Sequence, residues 1–132
     1  MAVLAASCTR SGATDRALLE AALNSRYLPR VDVIVLTPGL GPETREAASQ
    51  LRKTIDQASV IPSNGFRLPP HHLVLYSVTH SGDSAHVVAT FGPFPQARPG
   101  VALLACGSNL DISFQRDGNG LWQESDTTTT VC

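Results

Sequence analysis

Leu110-Asp111-Ile112-Ser113-Phe114-Gln115-Arg116-Asp117-Gly118-Asn119-Gly120-Leu121-Trp122 is the stretch whose reading decides the architecture. Leu110, Ile112 and Phe114 alternate with Asp111, Ser113 and Gln115, which is the period of a strand with one apolar and one wet face. Asp117-Gly118-Asn119-Gly120 then supplies residue types that accept turn conformations, and Leu121-Trp122 starts a second extended run. The chain is therefore expected to fold back on itself as a ribbon. A loop of Gly118, Asn119 and Gly120 sets a register in which Cys106 stands opposite Cys132, at about the separation a disulfide spans. A Cys106–Cys132 bridge closing that ribbon would contribute on the order of 3 kcal/mol.

Working toward the N-terminus, the same period of two recurs. Leu73 to His80 reads as a strand, Ser81-Gly82-Asp83-Ser84 as a turn, and His86 to Phe91 as the returning strand. Gly92 to Gly100, with Pro93, Pro95 and Pro99, reads as a loop, and Val101 to Cys106 as a further extended piece. Residues 62–70 carry Pro62, Gly65, Pro69 and Pro70 and read as another loop.

The first half has a different period. Asp15 to about Tyr27 reads as a helix capped by Thr14 or Asp15, with Leu19, Ala22, Leu23 and Tyr27 on one face and Pro29 as its stop. Val31 to Leu36 is a β-branched, nearly continuous apolar strand. Thr37-Pro38-Gly39-Leu40-Gly41 breaks the chain, and Pro42 opens a second helix, with Glu43 and Glu46 near its positive end. Ala47, Leu51, Ile55 and Ala58 form its apolar stripe, which predicts a helix running to about Ser59.

Two helices and one strand followed by a meander predict an α+β domain over residues 15–132, preceded by a signal remnant and polar tether over 1–14. The expected packing lays both helices on one face of a curved antiparallel sheet of about four or five strands. That outline resembles the cystatin-like and nuclear-transport-factor-like folds, which host both enzymes and binding proteins.

The chain has 132 residues, enough for one core. Its apolar fraction is 42%, its charged fraction 16% and its formal net charge -1. Those values oppose a charge-driven disordered chain. They also give no basis for broad electrostatic binding to nucleic acid. No run reaches the roughly 18 apolar residues that a membrane-spanning helix needs. The segment Ala2-Val3-Leu4-Ala5-Ala6-Ser7-Cys8, followed by Thr9-Arg10-Ser11-Gly12, is similar to the lipobox of bacterial lipoproteins. Leu4 stands one position further from the cysteine than the leucine of that motif. The resemblance implies lipid attachment at Cys8, a cell-envelope address facing the periplasm or the exterior, and membrane contact through that anchor alone.

Several constellations offer chemistry. His80 and His86 flank one hairpin with Asp83 between them, and His71 and His72 open the preceding strand. None has a His-x-x-x-His or Cys-x-x-Cys spacing, so solvated strand-end histidines are the expectation and no metal is assigned. Gly82-Asp83-Ser84 resembles the Gly-Asp-Ser block of a hydrolase family, but it falls in a hairpin turn instead of a strand-to-helix junction. Thr37 to Glu43 leads into a helix N-terminus, a place where amides hold anions, without completing a Gly-x-Gly-x-x-Gly pattern. Asp111, Asp117, Asn119 and Asp126 lack the ladder of a calcium loop.

Phe94, held between Pro93 and Pro95, either plugs the sheet edge or stands exposed as the candidate partner-binding anchor, since a proline-stiffened loop loses little entropy on docking. The leading expectation is thus a small exported protein with a non-catalytic binding or structural role and no cofactor. Its partner is an unidentified protein or small ligand, met at the open sheet face or at the Gly92–Gly100 loop. One alternative is a small enzyme in which His72, His80 or His86 is a general base. Another is an inhibitor or immunity protein acting through an exposed loop.

The cysteine expectation is checked by alkylation and intact mass. With the Cys106–Cys132 bridge formed, Cys106 and Cys132 resist alkylation before reduction and are both alkylated afterwards. Full alkylation without reductant removes the bridge.

Overall fold

The computed structural model describes residues 14–28, 30–59, 71–91 and 108–131. A helix over 14–23 (α1) is followed by β1 (Val33–Leu36), α2 (Pro42–Leu51) and β2 (Lys53–Asp56), with a short 3₁₀ turn at Gln57–Ser59. Four longer strands complete the described chain: β3 (His72–Ser81), β4 (Ser84–Phe91), β5 (Ser108–Arg116) and β6 (Trp122–Val131). They form one six-stranded sheet in the order β2-β1-β3-β4-β5-β6. The α+β class is as expected. The sheet differs from the expected four or five antiparallel strands, because β1 runs parallel to both β2 and β3 while β3 to β6 form an antiparallel meander.

The extra strand comes from the tail of the expected second helix. That helix stops at Leu51, and Arg52 is already extended, its N–H donating to Ala48 O at 3.0 Å. Thr54 and Ile55 are consecutive β-branched residues, which lose rotamer freedom in a helix and suit a pleated surface. They pair with Ile34 and Val35 along an edge of β1 that would otherwise be open. Ile55 is therefore a half-buried strand residue and Ala58 an exposed turn residue, and neither belongs to a helical stripe. Arg52 reinforces the break by donating from Nε to Val31 O at 2.8 Å.

The first helix also ends early. Ser25 N–H bonds to Ala22 O, Leu28 N–H bonds to Ser25 O, and Tyr27 N–H donates to Ser25 Oγ, so a serine-centred turn replaces the last helical turn. Tyr27 consequently lies exposed beside Arg26 instead of on the buried face. Leu18, absent from the expected stripe, is fully buried. Asp15 lies within the helix and does not serve as its N-cap.

One face of the sheet is the core. Ile34 and Leu36, Leu73 and Leu75, Ala85, Val87 and Ala89, and Leu110, Ile112 and Phe114 form one cluster with Leu18, Leu19 and Ala22 of α1 and Ala47 and Ala48 of α2. Both helices therefore lie on the same face, as the sequence leads one to expect. Each large side chain fully buried there contributes about 1.5–3 kcal/mol. On the reverse face the central strands are dry as well, with Val33, Val35, Val74 and His72 buried.

The β5–β6 ribbon turns where expected. Asp117 N–H donates to Leu121 O at 2.8 Å and Gly120 N–H to Asp117 O at 3.0 Å, while Gly120 has φ +79. A left-handed residue closing a three-residue loop is a place for glycine. From Arg116↔Trp122 to Phe114↔Glu124 the register is the expected one. A bulge at Ser125 then shifts it by one, so that Ser113 faces Asp126 and Ser108 faces Val131. The register that set Cys106 against Cys132 thus stops at the bulge. Both cysteines lie outside the described residues.

Asp117 organises this turn. Its carboxylate is held below the ordinary aspartate range mainly by the Leu121 N–H, with the Asn119 N–H and the Gln123 amide assisting and partial desolvation opposing. A lowered folded-state value means that the carboxylate favours the folded turn above the unfolded pKa of about 3.9, and that this contribution is lost as pH falls through the folded value. The amide shifts of Asn119 and Leu121 are expected to move through one transition centred below about pH 3.9. Asp117→Asn, which keeps the acceptor oxygen, should abolish that transition. Shifts that do not change on acidification would contradict the assignment.

Candidate functional site

Strand alternation divides the sequence-nominated residues between the two sheet faces. In the β3–β4 hairpin, His80 pairs with Ala85 and Thr79 with His86. His80 therefore shares the core face with Ala85, whereas His86 is on the outer face. Although the two histidines flank one hairpin, this parity keeps their side chains on opposite faces. His71 (φ +59) is the turn residue before β3, buried His72 begins the strand, and His80 lies near its other end. Eight residues of strand separate His72 from His80 by roughly 26 Å. Among the described residues no group of three or more His, Cys, Asp or Glu gathers to hold a metal ion.

On the outer face, His86 Nδ1 lies 3.2 Å from Asp111 Oδ1 and 3.1 Å from Ser113 Oγ. The residue types are those of a nucleophile–base–acid relay, but the connectivity is not. A relay needs the carboxylate on one ring nitrogen and the hydroxyl on the other. Here both oxygens meet the same nitrogen, on a side chain about half exposed to water. This is a polar cross-strand cluster on a solvated face, not a triad.

The cluster belongs to a wider surface. Thr79, His86, Ser113 and Asp126 lie side by side across four strands, and so do Ser77, Val88, Asp111 and Thr128 in the next row. Ser84 and Gln115 extend it toward the hairpin ends, with Gln115 Nε2 donating to Ser84 Oγ at 3.0 Å. These positions carry hydroxyls, one amide, an imidazole, two carboxylates and the apolar Val88, and neither lysine nor arginine. Ser84 is thereby part of the sheet's polar face. Gly82 (φ +59) and Asp83 form the turn, which explains the Gly-Asp-Ser block without hydrolytic chemistry.

On the core side, a second polar node joins the two helices to β3. Asp15 is buried, its Oδ2 accepting from Thr44 Oγ1 of α2 at 2.7 Å. Among the described residues its Oδ1 has no hydrogen-bond partner, and it lies 3.6 Å from His80 Nε2, an ion-pair separation. His80 is over a third exposed, so it presents its ring to solvent with a buried carboxylate behind it. Sequence reading named His80 but missed Asp15 and Thr44 as its company. Residues from three separate elements meet there, and no local spacing encodes the meeting.

The Thr37–Glu43 junction is internally satisfied. Arg45 donates from Nη2 to Thr37 O at 2.8 Å and from Nε to Leu40 O at 3.1 Å, and its Nη1 pairs with Asp56 at 2.6 Å. Thr37 Oγ1 donates to Leu75 O at 2.9 Å. These bonds fix the strand-to-helix connection and tie β2 to it. Cys8 and the Pro93-Phe94-Pro95 anchor lie outside the described residues. No described helix is long and apolar enough to cross a membrane.

Comparison of the chain with protein-family models, with curated proteins and with solved structures finds no match in any of the three.

The buried node and the exposed cluster should differ in thermodynamic weight. Asp15→Ala strands the Thr44 hydroxyl in the interior and is expected to cost about 1–3 kcal/mol in urea unfolding. His86→Ala should stay within about 0.5 kcal/mol of the parent. Equal losses at the two positions would show the outer cluster to be structural.

Proposed function

We propose that this chain is a small exported bacterial protein, with Cys8 as its candidate lipid attachment, and that it binds its ligand without catalysis on the outer face of the β3–β6 meander. The export reading is supported by the Ala2–Ser7 run, Cys8 and the polar stretch after it. The binding reading is supported by that face itself: short polar side chains, spaced by the sheet repeat and free of long cationic ones. Such a surface offers many directional hydrogen bonds and a weak negative potential from Asp111 and Asp126. Its ligand would be neutral or cationic and rich in hydroxyl and amide groups, as an envelope glycan is. The cystatin-like or nuclear-transport-factor-like outline is proposed for the two helices and the β3–β6 meander alone, since the parallel pairs of β1 fall outside it.

Titration of labelled protein with soluble cell-wall glycan fragments tests this reading. Amide shifts are expected at His86, Asp111, Ser113 and Thr128. Combined His86→Ala and Ser113→Ala substitution should weaken binding by about tenfold, equivalent to about 1.4 kcal/mol. Perturbations confined to the helices, or none at all, would discard the face as the binding surface.

A second reading is favoured by one specific observation. His80, a little over a third exposed and 3.6 Å from buried Asp15, has the surroundings that a general base oriented by a carboxylate requires. This would make the chain a small enzyme acting at the helix-covered face. Loss of hydrolysis of an activated ester in both His80→Gln and Asp15→Asn, with His86→Ala unaffected, would favour it over simple binding.

A further inference from the structure

The two edges of the sheet are built differently. Edge β2 has four residues, begins and ends with the charges of Lys53 and Asp56, and has Asp56 tied to Arg45. Short, charged edges of this kind discourage pairing with another chain. Edge β6 has ten residues. Its only bulge, at Ser125, lies close to the turn, and from Thr127 to Val131 the strand pairs regularly with β5. That distal part holds four consecutive threonines and a valine, with no charge, proline or glycine. It is β-branched throughout, which favours extension, and among the described residues no strand lies beyond its outward backbone groups in the sheet.

We propose that β6 pairs with β6 of a second copy of this chain, antiparallel, about a two-fold axis near Thr128. The sequence along the strand is complementary to itself in that register. Thr128 meets its own copy, Thr127 meets Thr129, and Asp126 meets Thr130, so the carboxylates never oppose each other. Cross-strand threonine pairs are favourable, and an isologous contact closes at two subunits without growing into a fibre. A register moved toward the turn would set Asp126 against Asp126 and is disfavoured by like charge. The axis runs perpendicular to the sheet, so the polar faces of both copies lie on the same side of one twelve-stranded sheet. The dimer does not depend on the ligand proposed for that face.

Sedimentation velocity in reducing buffer, from micromolar to millimolar protein, tests the proposal with disulfide cross-links excluded. The parent chain is expected to shift from one to two copies as concentration rises. Thr128→Lys opposes two ammonium groups at the axis and should weaken the dimer about fivefold or more. Mixing it with Thr128→Glu should restore assembly as a mixed dimer. Lys53→Thr, on the other edge, should change nothing. Trp122 fluorescence confirms that each variant is folded. A parent chain that stays monomeric to millimolar concentration overturns the proposal. So does a dimer indifferent to Thr128→Lys, which would place the contact elsewhere. Failure of the mixed pair to assemble likewise excludes this two-fold register.

Discussion

The burial of one apolar sheet face under two short helices is the constraint on which everything else depends. Ile34, Leu36, Leu73, Leu75, Val87, Leu110, Ile112 and Phe114 can leave water together only if Leu18, Leu19, Ala22, Ala47 and Ala48 cover them. Neither helix is long enough to be stable by itself in water. Each is helical because packing supplies what propensity does not. Truncating the largest of these side chains, Phe114, would remove about 3–5 kcal/mol, a large share of a typical domain's stability.

That burial also dictates where polar chemistry can lie. A pleat of period two puts every second residue of β3, β4 and β5 on the opposite face, where the polar array lies beyond the buried Val33, Val35 and Val74. The His86–Asp111–Ser113 cluster is a by-product of this geometry as much as a site. Asp15 is the exception. It lies on the dry side, its carboxylate satisfied by Thr44 on one oxygen and facing His80 with the other. A buried carboxylate needs such company, and the three groups together fix how α1, α2 and β3 meet.

Much of the architecture was legible from the residues because it depends on local period and turn chemistry. The alternation at Leu110, Ile112 and Phe114 marks a strand whichever way the rest folds, and Gly120 marks the left-handed turn residue. Pro42 opens a helix for reasons contained within its own peptide unit. The failures have separate causes. Lys53–Asp56 reads as helix by spacing, yet it is a strand because β1 offers an open edge beside it. Ser25 stops α1 through a side-chain bond that helical periodicity does not register. The Ser125 bulge moves the distal register of the ribbon without any glycine to announce it.

The candidate site divides along the same line. The sequence by itself determined the strand period, the Asp117–Gly120 turn, the apolar stripe and the identity of the histidines, since each follows from neighbouring residues. Only the tertiary structure decided that His80 and His86 face opposite ways and that Asp15 stands behind His80. It also decided that β6 is the edge of the described sheet. The hairpin register sets the first of these, and the others follow from how elements far apart in the chain pack once water has left the space between them.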